Sequence, residues 1–158
     1  MRSLLAVLVA VSILPWCGDP QEVSPPPRTN PAPFSVAEIS TPGGDATVLV
    51  ADTEAERSQG LMNRDDLGGY DGMLFEFPGD TQGGFWMKDT RIALSIAFFD
   101  ASGRVVDLFD MEPCPPEQSS CPSYRPDSPY RRALEVPKGD LPRWGLDERG
   151  AIMQVKGS

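Results

Sequence analysis

The sequence predicts a mostly β or α+β fold: a compact single domain of about seven or eight short strands, partly closed like a barrel, with one short helix near residues 54–62. Three observations lead to this fold class. Glycine supplies 15 and proline 17 of the 158 residues, an above-average share that disfavours a helical bundle. Short apolar runs alternate with turn-forming residues along the chain. Only the segment after residue 52 has a strong helix-start signature.

The first predicted elements are two strands and the helix. Residues 34–39 and 47–51 form apolar runs with β-branched residues, which are typical of strands. Thr53 and Glu56 then have the spacing of a capping box, in which each side chain accepts a hydrogen bond from the other residue's backbone N–H. Gly60 is expected to limit the helix to about two or three turns.

The remaining elements are short strands separated by turns. The alternation of Leu94, Ile96 and Phe98 with small residues is typical of a strand that carries large side chains on one face. Pro78 is expected to end the strand that precedes it, and Asp140 to begin a helical turn. The strands are predicted over 73–77, 85–88, 93–98, 104–111, 130–136 and 151–155.

The first 17 residues have the pattern of an export signal. Arg2 precedes an apolar run over 4–14, which as a helix would be about 16 Å long, against the roughly 30 Å of a hydrocarbon core. The run ends in a sequence similar to a bacterial lipobox, which predicts lipidation of Cys17. Trp16 is larger than the residue that precedes the cysteine in a lipobox, so ordinary cleavage after Ser12 is an alternative, and an N-terminal core helix is another.

Proline dominates the next segment. Residues 18–33 contain six prolines and almost no apolar side chains, a composition that gives an extended or disordered linker. The chain is thus expected to consist of a signal peptide over 1–17, a linker over 18–33 and one β-rich domain over 34–158. This organisation predicts an extracytoplasmic protein, in the periplasm or at the cell surface, whose membrane contact is an N-terminal lipid anchor.

The other two cysteines fit an oxidising compartment. Cys114 and Cys121 lie in a loop rich in proline and serine, and a disulfide between them would close a loop of about eight residues. Two free thiols are the alternative. A metal site built from cysteines alone would need more thiolates than these two.

Composition also excludes several classes of function. The chain has no histidine, which excludes a histidine general base, a histidine-activated nucleophile and histidine-ligated zinc or copper. Its net charge of −9 lacks the positive surface that nucleic-acid binding requires. The paired glycines have neither Walker nor dinucleotide spacing. Methionines at 62, 73 and 87 are more typical of core filler than of copper ligands. We therefore expect no metal, cofactor or nucleic acid.

Five motifs occur in the order found in a known family. They are VADT (50–53), ERSQGLMNR (56–64), GMLFEF (72–77), FWMKDT (85–90) and LEVPKG (134–139). Together they resemble the bacterial and archaeal family known as domain of unknown function 192 (DUF192), over residues 36–157. The resemblance implies a small, β-rich and often exported domain, and it implies no activity. The family usually has Asn at the position of Asp89 and often has Asp at that of Ser95, so a polar site at these positions would carry a rearranged charge here.

Charged residues within the apolar motifs are the candidates for a functional site, because burying a charge is costly unless it is paired. As a binding site, Trp86 or Phe85 would stack on a ring while Lys88 and Arg57 hold a carboxylate or hydroxylated ligand. Because neighbouring residues of a strand face opposite ways, only one aromatic is expected to line the pocket, and we favour Trp86, with Lys88 on its face. The ligand-binding candidates are Trp86, Lys88, Asp89, Thr90, Arg57 and Glu135.

The alternatives assign the same residues to other roles. Structural ion pairs would join Arg57 to Asp52 or Glu135 and place Lys88 at a strand end. A hydrolase would need a carboxylate pair, either Asp89 with Glu135 or Glu76 with Asp89. Without histidine we favour binding over catalysis. We expect an exported binding or accessory module for a small polar or glycan-like ligand at the cell envelope; the alternatives are a carboxylate-dependent hydrolase of an envelope substrate and a structural or interaction protein of undetermined oligomeric state.

Overall fold

The structure is a computed structural model, and it describes residues 34–115, 117–118 and 120–157. The predicted signal peptide, the lipidation site Cys17 and the linker over 18–33 lie outside these residues. No helix in the described part of the chain has the length and hydrophobicity needed to cross a membrane.

Nine strands, one helix and one 3-10 turn make up the described residues. The helix is α1 (Glu54–Gln59), and the 3-10 turn is Leu141–Trp144. The strands are β1 (Ser35–Thr41), β2 (Gly44–Ala51), β3 (Gly72–Thr81), β4 (Phe85–Trp86), β5 (Leu94–Phe99), β6 (Val105–Met111), β7 (Ser123–Tyr124), β8 (Tyr130–Pro137) and β9 (Gln154–Val155).

Seven of the strands form one sheet that curls into a half-barrel, in the order β6-β5-β8-β3-β2-β1-β9. Its neighbouring strands are antiparallel except for β2 and β3, which run parallel and are joined through α1. Strands β4 and β7 pair separately and antiparallel. The predicted fold class, mostly β and partly closed with one short helix, is confirmed.

Each face of the sheet has its own core. One face packs Met73, Phe75, Ile96 and Phe98 against the chain around α1 and β4. The other face packs its apolar side chains under the 3-10 turn. Strand β5 is buried at all six positions. The alternation of large and small residues along it therefore does not mark a face exposed to solvent, because both faces of the strand pack into a core.

Both ends of α1 are set by local chemistry. The helix begins at the predicted capping box: the Glu56 N–H donates to Thr53 Oγ1 at 3.2 Å, and the Thr53 N–H donates to Glu56 Oε2 at 3.0 Å. It ends at Gly60, whose φ of +46° disfavours other residues. A Cβ on Gly60 would lie 3.3 Å from the Phe75 ring. The chain after the helix therefore packs directly onto the first face of the sheet.

Three predicted strand boundaries are wrong. The final strand, predicted over 151–155, is only β9 (Gln154–Val155). Strand β3 does not end at Pro78 but continues to Thr81. Its register with β8 shifts between Glu76 and Thr81, so Pro78 is not paired with β8. The missing N–H of the proline therefore costs the sheet no hydrogen bond. Strand β4 is shorter than predicted and ends at Trp86, since a turn follows in which the Thr90 N–H donates to the Met87 carbonyl.

Candidate functional site

An open cleft of about 340 Å³ lies between α1 and β4 on the first face of the sheet. We call it the aromatic cleft. Glu54, Arg57 and Ser58 of α1 line one side. Gly83, Gly84 and five aromatic side chains line the remainder; the aromatics are Phe75, Phe77, Phe85, Trp86 and Tyr130.

The inner wall of the aromatic cleft is held by ring-to-ring contacts. Phe75 and Phe85 meet edge to face with centroids 4.9 Å apart, and Phe77 and Tyr130 do so at 5.4 Å. The Tyr130 hydroxyl donates to the Gly83 carbonyl at 2.9 Å, and burial raises the pKa of Tyr130 to about 12. The wall is therefore a rigid apolar surface that is already formed before any ligand arrives.

Trp86 forms the outer rim of the cleft. Its side chain is 55% exposed, although large aromatic side chains are usually buried. The Lys88 Nζ lies 5.5 Å from the centroid of the Trp86 ring, within range of a cation–π contact. Phe85 also lines the cleft, which corrects the prediction that only one of the two aromatics would. The reason is depth: Phe85 packs inward against Phe98 and forms the floor.

Arg57 is held by backbone carbonyls and not by a carboxylate. Its Nη1 donates to the Asp52 carbonyl and, at 2.8 Å, to the Glu76 carbonyl, and its guanidinium carbon lies 5.1 Å from the Phe77 ring centroid. The predicted ion pair of Arg57 with Asp52 or Glu135 is wrong; within the described residues no ion pair includes Arg57. Its positive charge thus stays available to the cleft.

Glu135 lies on the same face of the sheet, between Met73 of β3 and Ile96 of β5. It is 4% exposed, and burial raises the pKa of Glu135 to about 8. At pH 7 its carboxyl is therefore mostly neutral. The described residues supply no hydrogen-bond partner for it. A small cavity of about 40 Å³ adjoins it, lined also by Arg57 and by the chain over 58–62. We call this the Glu135 cavity.

The aromatic cleft and the Glu135 cavity are neighbours. They share five lining residues: Arg57, Ser58, Phe75, Phe85 and Trp86. The structure thus brings three of the six predicted site residues, Arg57, Trp86 and Glu135, around two adjoining openings.

The other three predicted residues lie elsewhere. Lys88 and Asp89 line an opening on the far side of Trp86. Thr90 is buried, and its Oγ1 donates to the Lys88 carbonyl at 3.3 Å, as in a turn. Asp89 has a φ of +54°, and its carbonyl accepts a bond from the N–H of Asn63, which also has a positive φ. Lys88 therefore approaches the cleft only through its contact with Trp86.

The predicted carboxylate pairs are not assembled. Glu76 instead forms an ion pair with Arg132 at 2.8 Å. Asp89, Glu76 and Glu135 line separate openings. Among the described residues no group of three or more Cys, Asp or Glu side chains has the geometry of a metal site.

The two departures from the family pattern also lie apart. Ser95 is buried on the second face of the sheet, where its Oγ donates to Asp110 and accepts from the Gly139 N–H at 2.9 Å. Asp89 lies near the first face, in a left-handed conformation that Asn also adopts easily. The two positions therefore do not form one polar site. Asp in place of the family's usual Asn at position 89 still allows the left-handed backbone conformation there.

The predicted disulfide is present. Cys114 and Cys121 are bonded, with their Cα atoms 5.6 Å apart. Both sulfur-bearing residues line the opening beyond Trp86, and the Cys114 N–H donates to the Met87 carbonyl at 3.4 Å. The bridge thus anchors the loop that follows β6 beside the rim of the cleft.

Sequence reasoning missed Phe75, Phe77 and Tyr130 as cleft residues. Phe75 and Phe77 are two positions apart on β3, and this spacing places both on one face of a strand. That signal was present, but Tyr130 lies on a distant strand and its approach depends on the pairing of β3 with β8.

Comparison with known proteins gives a family but no activity. A model of the DUF192 family, described as "Uncharacterized ACR", matches residues 37–153. No functionally curated protein is similar to the chain. A crystal structure of a protein of unknown function from Novosphingobium aromaticivorans is similar, with 26% identity, a TM-score of 0.63, and coverage of 77% of this chain and 84% of that one. The crystal structure of a putative transcription regulator from Sinorhizobium meliloti is also similar, with 26% identity, a TM-score of 0.64, and coverage of 79% and 97%.

Proposed function

This chain belongs to the DUF192 family, and from that premise and the geometry of the aromatic cleft we propose that it is an exported binding module for a small polar, glycan-like ligand at the cell envelope. The ligand would be a hydroxylated ring that stacks on Trp86 and meets the guanidinium of Arg57.

The exposed ring of Trp86 carries the proposal. An indole that is 55% exposed leaves a large apolar surface in water at a cost of about 25 cal/mol per Å². A soluble domain recovers that cost when a ligand covers the ring. Because the aromatic faces of proteins commonly stack on the apolar faces of rings, the exposure is best explained by a binding role.

Size and chemistry favour a small ligand. A volume of about 340 Å³ is at the lower end of the roughly 300–1,000 Å³ found for ligand sites, which suits a monosaccharide. Arg57 uses only its Nη1 in the two carbonyl bonds, so its other N–H groups remain for a carboxylate or hydroxyl of the ligand.

The envelope location rests on the sequence. The signal-like segment over 1–17 and the disulfide between Cys114 and Cys121 both suit an oxidising, extracytoplasmic compartment. Regulation of transcription, the role named for the similar S. meliloti protein, is disfavoured for this chain because its net charge of −9 opposes nucleic-acid binding.

A carboxylate-dependent hydrolase is the second candidate, and Glu135 is the observation that favours it. A buried carboxyl that is neutral near pH 7 has the protonation state of a general acid. The candidate is weaker because neither predicted partner carboxylate, Asp89 or Glu76, shares a cavity with Glu135. Retained binding with loss of turnover in Glu135→Gln would identify the enzyme.

Titration calorimetry with D-glucuronate, a hydroxylated ring with one carboxylate, tests the binding role. Loss of one stacking contact worth about 1.4 kcal/mol weakens binding about tenfold, and this is expected for Trp86→Ala. The matched control is Ile152→Ala, which removes another exposed hydrophobic side chain. Absence of binding to the wild type, or equal binding by the two variants, would overturn the proposal.

A further inference from the structure

Glu135 is a buried acidic residue in an otherwise apolar part of the sheet. Its neighbours across the sheet are Met73 and Ile96, and an apolar residue of similar size would fit the same position without burying a polar group. Burial of a carboxyl without a hydrogen-bond partner is costly. A bound ligand that forms a hydrogen bond with this carboxyl would explain why a carboxyl is placed here.

The Glu135 cavity has room for one small group. Its volume of about 40 Å³ compares with the roughly 30 Å³ that a water molecule occupies in the liquid. It shares five lining residues with the aromatic cleft, so a hydroxyl or carboxylate oxygen on a ring that stacks on Trp86 is positioned to reach it.

The charge of the surroundings determines which group is favoured. Strand β3 presents Met73 and Phe75 to the cavity region, β5 presents Ile96, and β4 presents Phe85 and Trp86, none of which is charged. Of the charged side chains of α1, Arg57 lines both the cavity and the aromatic cleft, and Glu54 lines the cleft alone. A guanidinium on this lining repels an ammonium group and attracts oxygen acceptors.

We propose that Glu135 is the specificity-determining residue of the aromatic cleft: its protonated carboxyl donates a hydrogen bond to an oxygen of an acidic sugar whose carboxylate is bound by Arg57. This inference rests on the proposed binding function and names the ligand class. The site selects an oxygen acceptor and rejects an amine at the same position, because a neutral acid offers an ammonium group no counter-charge.

Binding is therefore linked to the protonation of Glu135. The donor is lost as pH rises through the pKa of about 8, so the affinity for D-glucuronate falls roughly tenfold for each pH unit above 8.

Calorimetric titrations of the purified protein at pH 6, 7, 9 and 10 test this with D-glucuronate and D-glucosamine as probes. The wild type is expected to bind glucuronate at least tenfold more tightly than glucosamine at pH 7 and to lose affinity above pH 8. Glu135→Gln retains an N–H donor of the same size, so it should bind glucuronate within a few-fold of the pH 7 wild-type affinity at every pH. Glu135→Leu lacks a donor and should bind at least tenfold more weakly at pH 7 while remaining folded by circular dichroism.

The outcomes separate the two proposals. If glucuronate binding depends on Trp86 but is unchanged in Glu135→Leu and independent of pH, the role of Glu135 is overturned and the binding module stands. If glucosamine is instead preferred over glucuronate at pH 6 and 7, where its amine carries a charge, Glu135 is an ammonium site and the inference is wrong. If neither sugar binds, both proposals are overturned.

Discussion

Protonation of Glu135 should make the stability of this fold depend on pH in an unusual direction. Burial raises the pKa of Glu135 from 4.5 to about 8, and each pH unit between these values is worth about 1.4 kcal/mol. Ionising Glu135 inside the folded protein therefore costs about 5 kcal/mol. The folded state binds this proton more tightly than the unfolded state, so the free energy of unfolding falls as pH rises from 4.5 to 8 and is constant above 8.

Most of that loss, about 4 kcal/mol, falls between pH 5 and pH 9. The window is unusually clear because the chain has no histidine, the residue that normally titrates there. Glu135→Gln has nearly the same shape and no titration, so it is the matched control. The difference between its free energy of unfolding and that of the wild type should grow by about 4 kcal/mol from pH 5 to pH 9.

Urea denaturation followed by circular dichroism at pH 5, 7 and 9 measures this difference. Parallel pH profiles for the wild type and Glu135→Gln would refute the reasoning, since they would mean that the Glu135 carboxyl ionises in the folded protein as readily as in the unfolded chain. A profile that falls only in the wild type would establish Glu135 as the titrating group.

Three further predictions concern other parts of the chain. Mass spectrometry of the unreduced protein should show about 2 Da less than the reduced form, and replacing Cys114 and Cys121 with serine should lower the free energy of unfolding by about 2.5 kcal/mol; two free thiols in the untreated protein would contradict the bridge. At the left-handed position Asp89, Asp89→Asn should preserve stability within about 0.5 kcal/mol while the β-branched Asp89→Val lowers it by about 1–2 kcal/mol, as measured by thermal unfolding. Cys17→Ser should move the protein from the membrane fraction to the soluble fraction; a soluble wild type beginning at residue 13 would instead indicate ordinary cleavage after residue 12.

The sheet was largely predictable because its signals are local. Period-two alternation in β5 and the capping box at Thr53 and Glu56 are determined by neighbouring residues. Strand β5 forms where the sequence places it, and α1 begins at the capping box but ends at Gln59, before the predicted residue 62. The extension of β3 past Pro78 was not predictable, since it depends on a register shift against the distant strand β8. Both faces of β5 are buried for a similar reason: the second face is covered by the distant turn Leu141–Trp144.

The sequence predicted several residues of the site but not which of them lie together in the fold. The sequence motifs identify Arg57, Trp86 and Glu135, and the alternative interpretation of these residues pairs Arg57 with a carboxylate. The structure gives it the carbonyls of Asp52 and Glu76 instead. A sequence shows which side chains carry charge. It does not show which backbone carbonyls lie close to them, because that depends on where α1 and β3 lie in the fold. The carbonyl partners of Arg57 therefore could not be predicted from residue types.

The cost at Glu135 is the strongest argument that the cleft has a function. A domain of this size is stable by roughly 5–15 kcal/mol, and a burial cost of about 5 kcal/mol at full ionisation is a large share of that. Leucine or methionine at the same position between Met73 and Ile96 would avoid the cost entirely. A conflict of this kind between burial and polarity is expected at a functional site. Glu135 lines one cavity with Arg57, which has no carboxylate partner among the described residues, and with the exposed Trp86. The proposed ligand, by meeting all three side chains, would account for each of them.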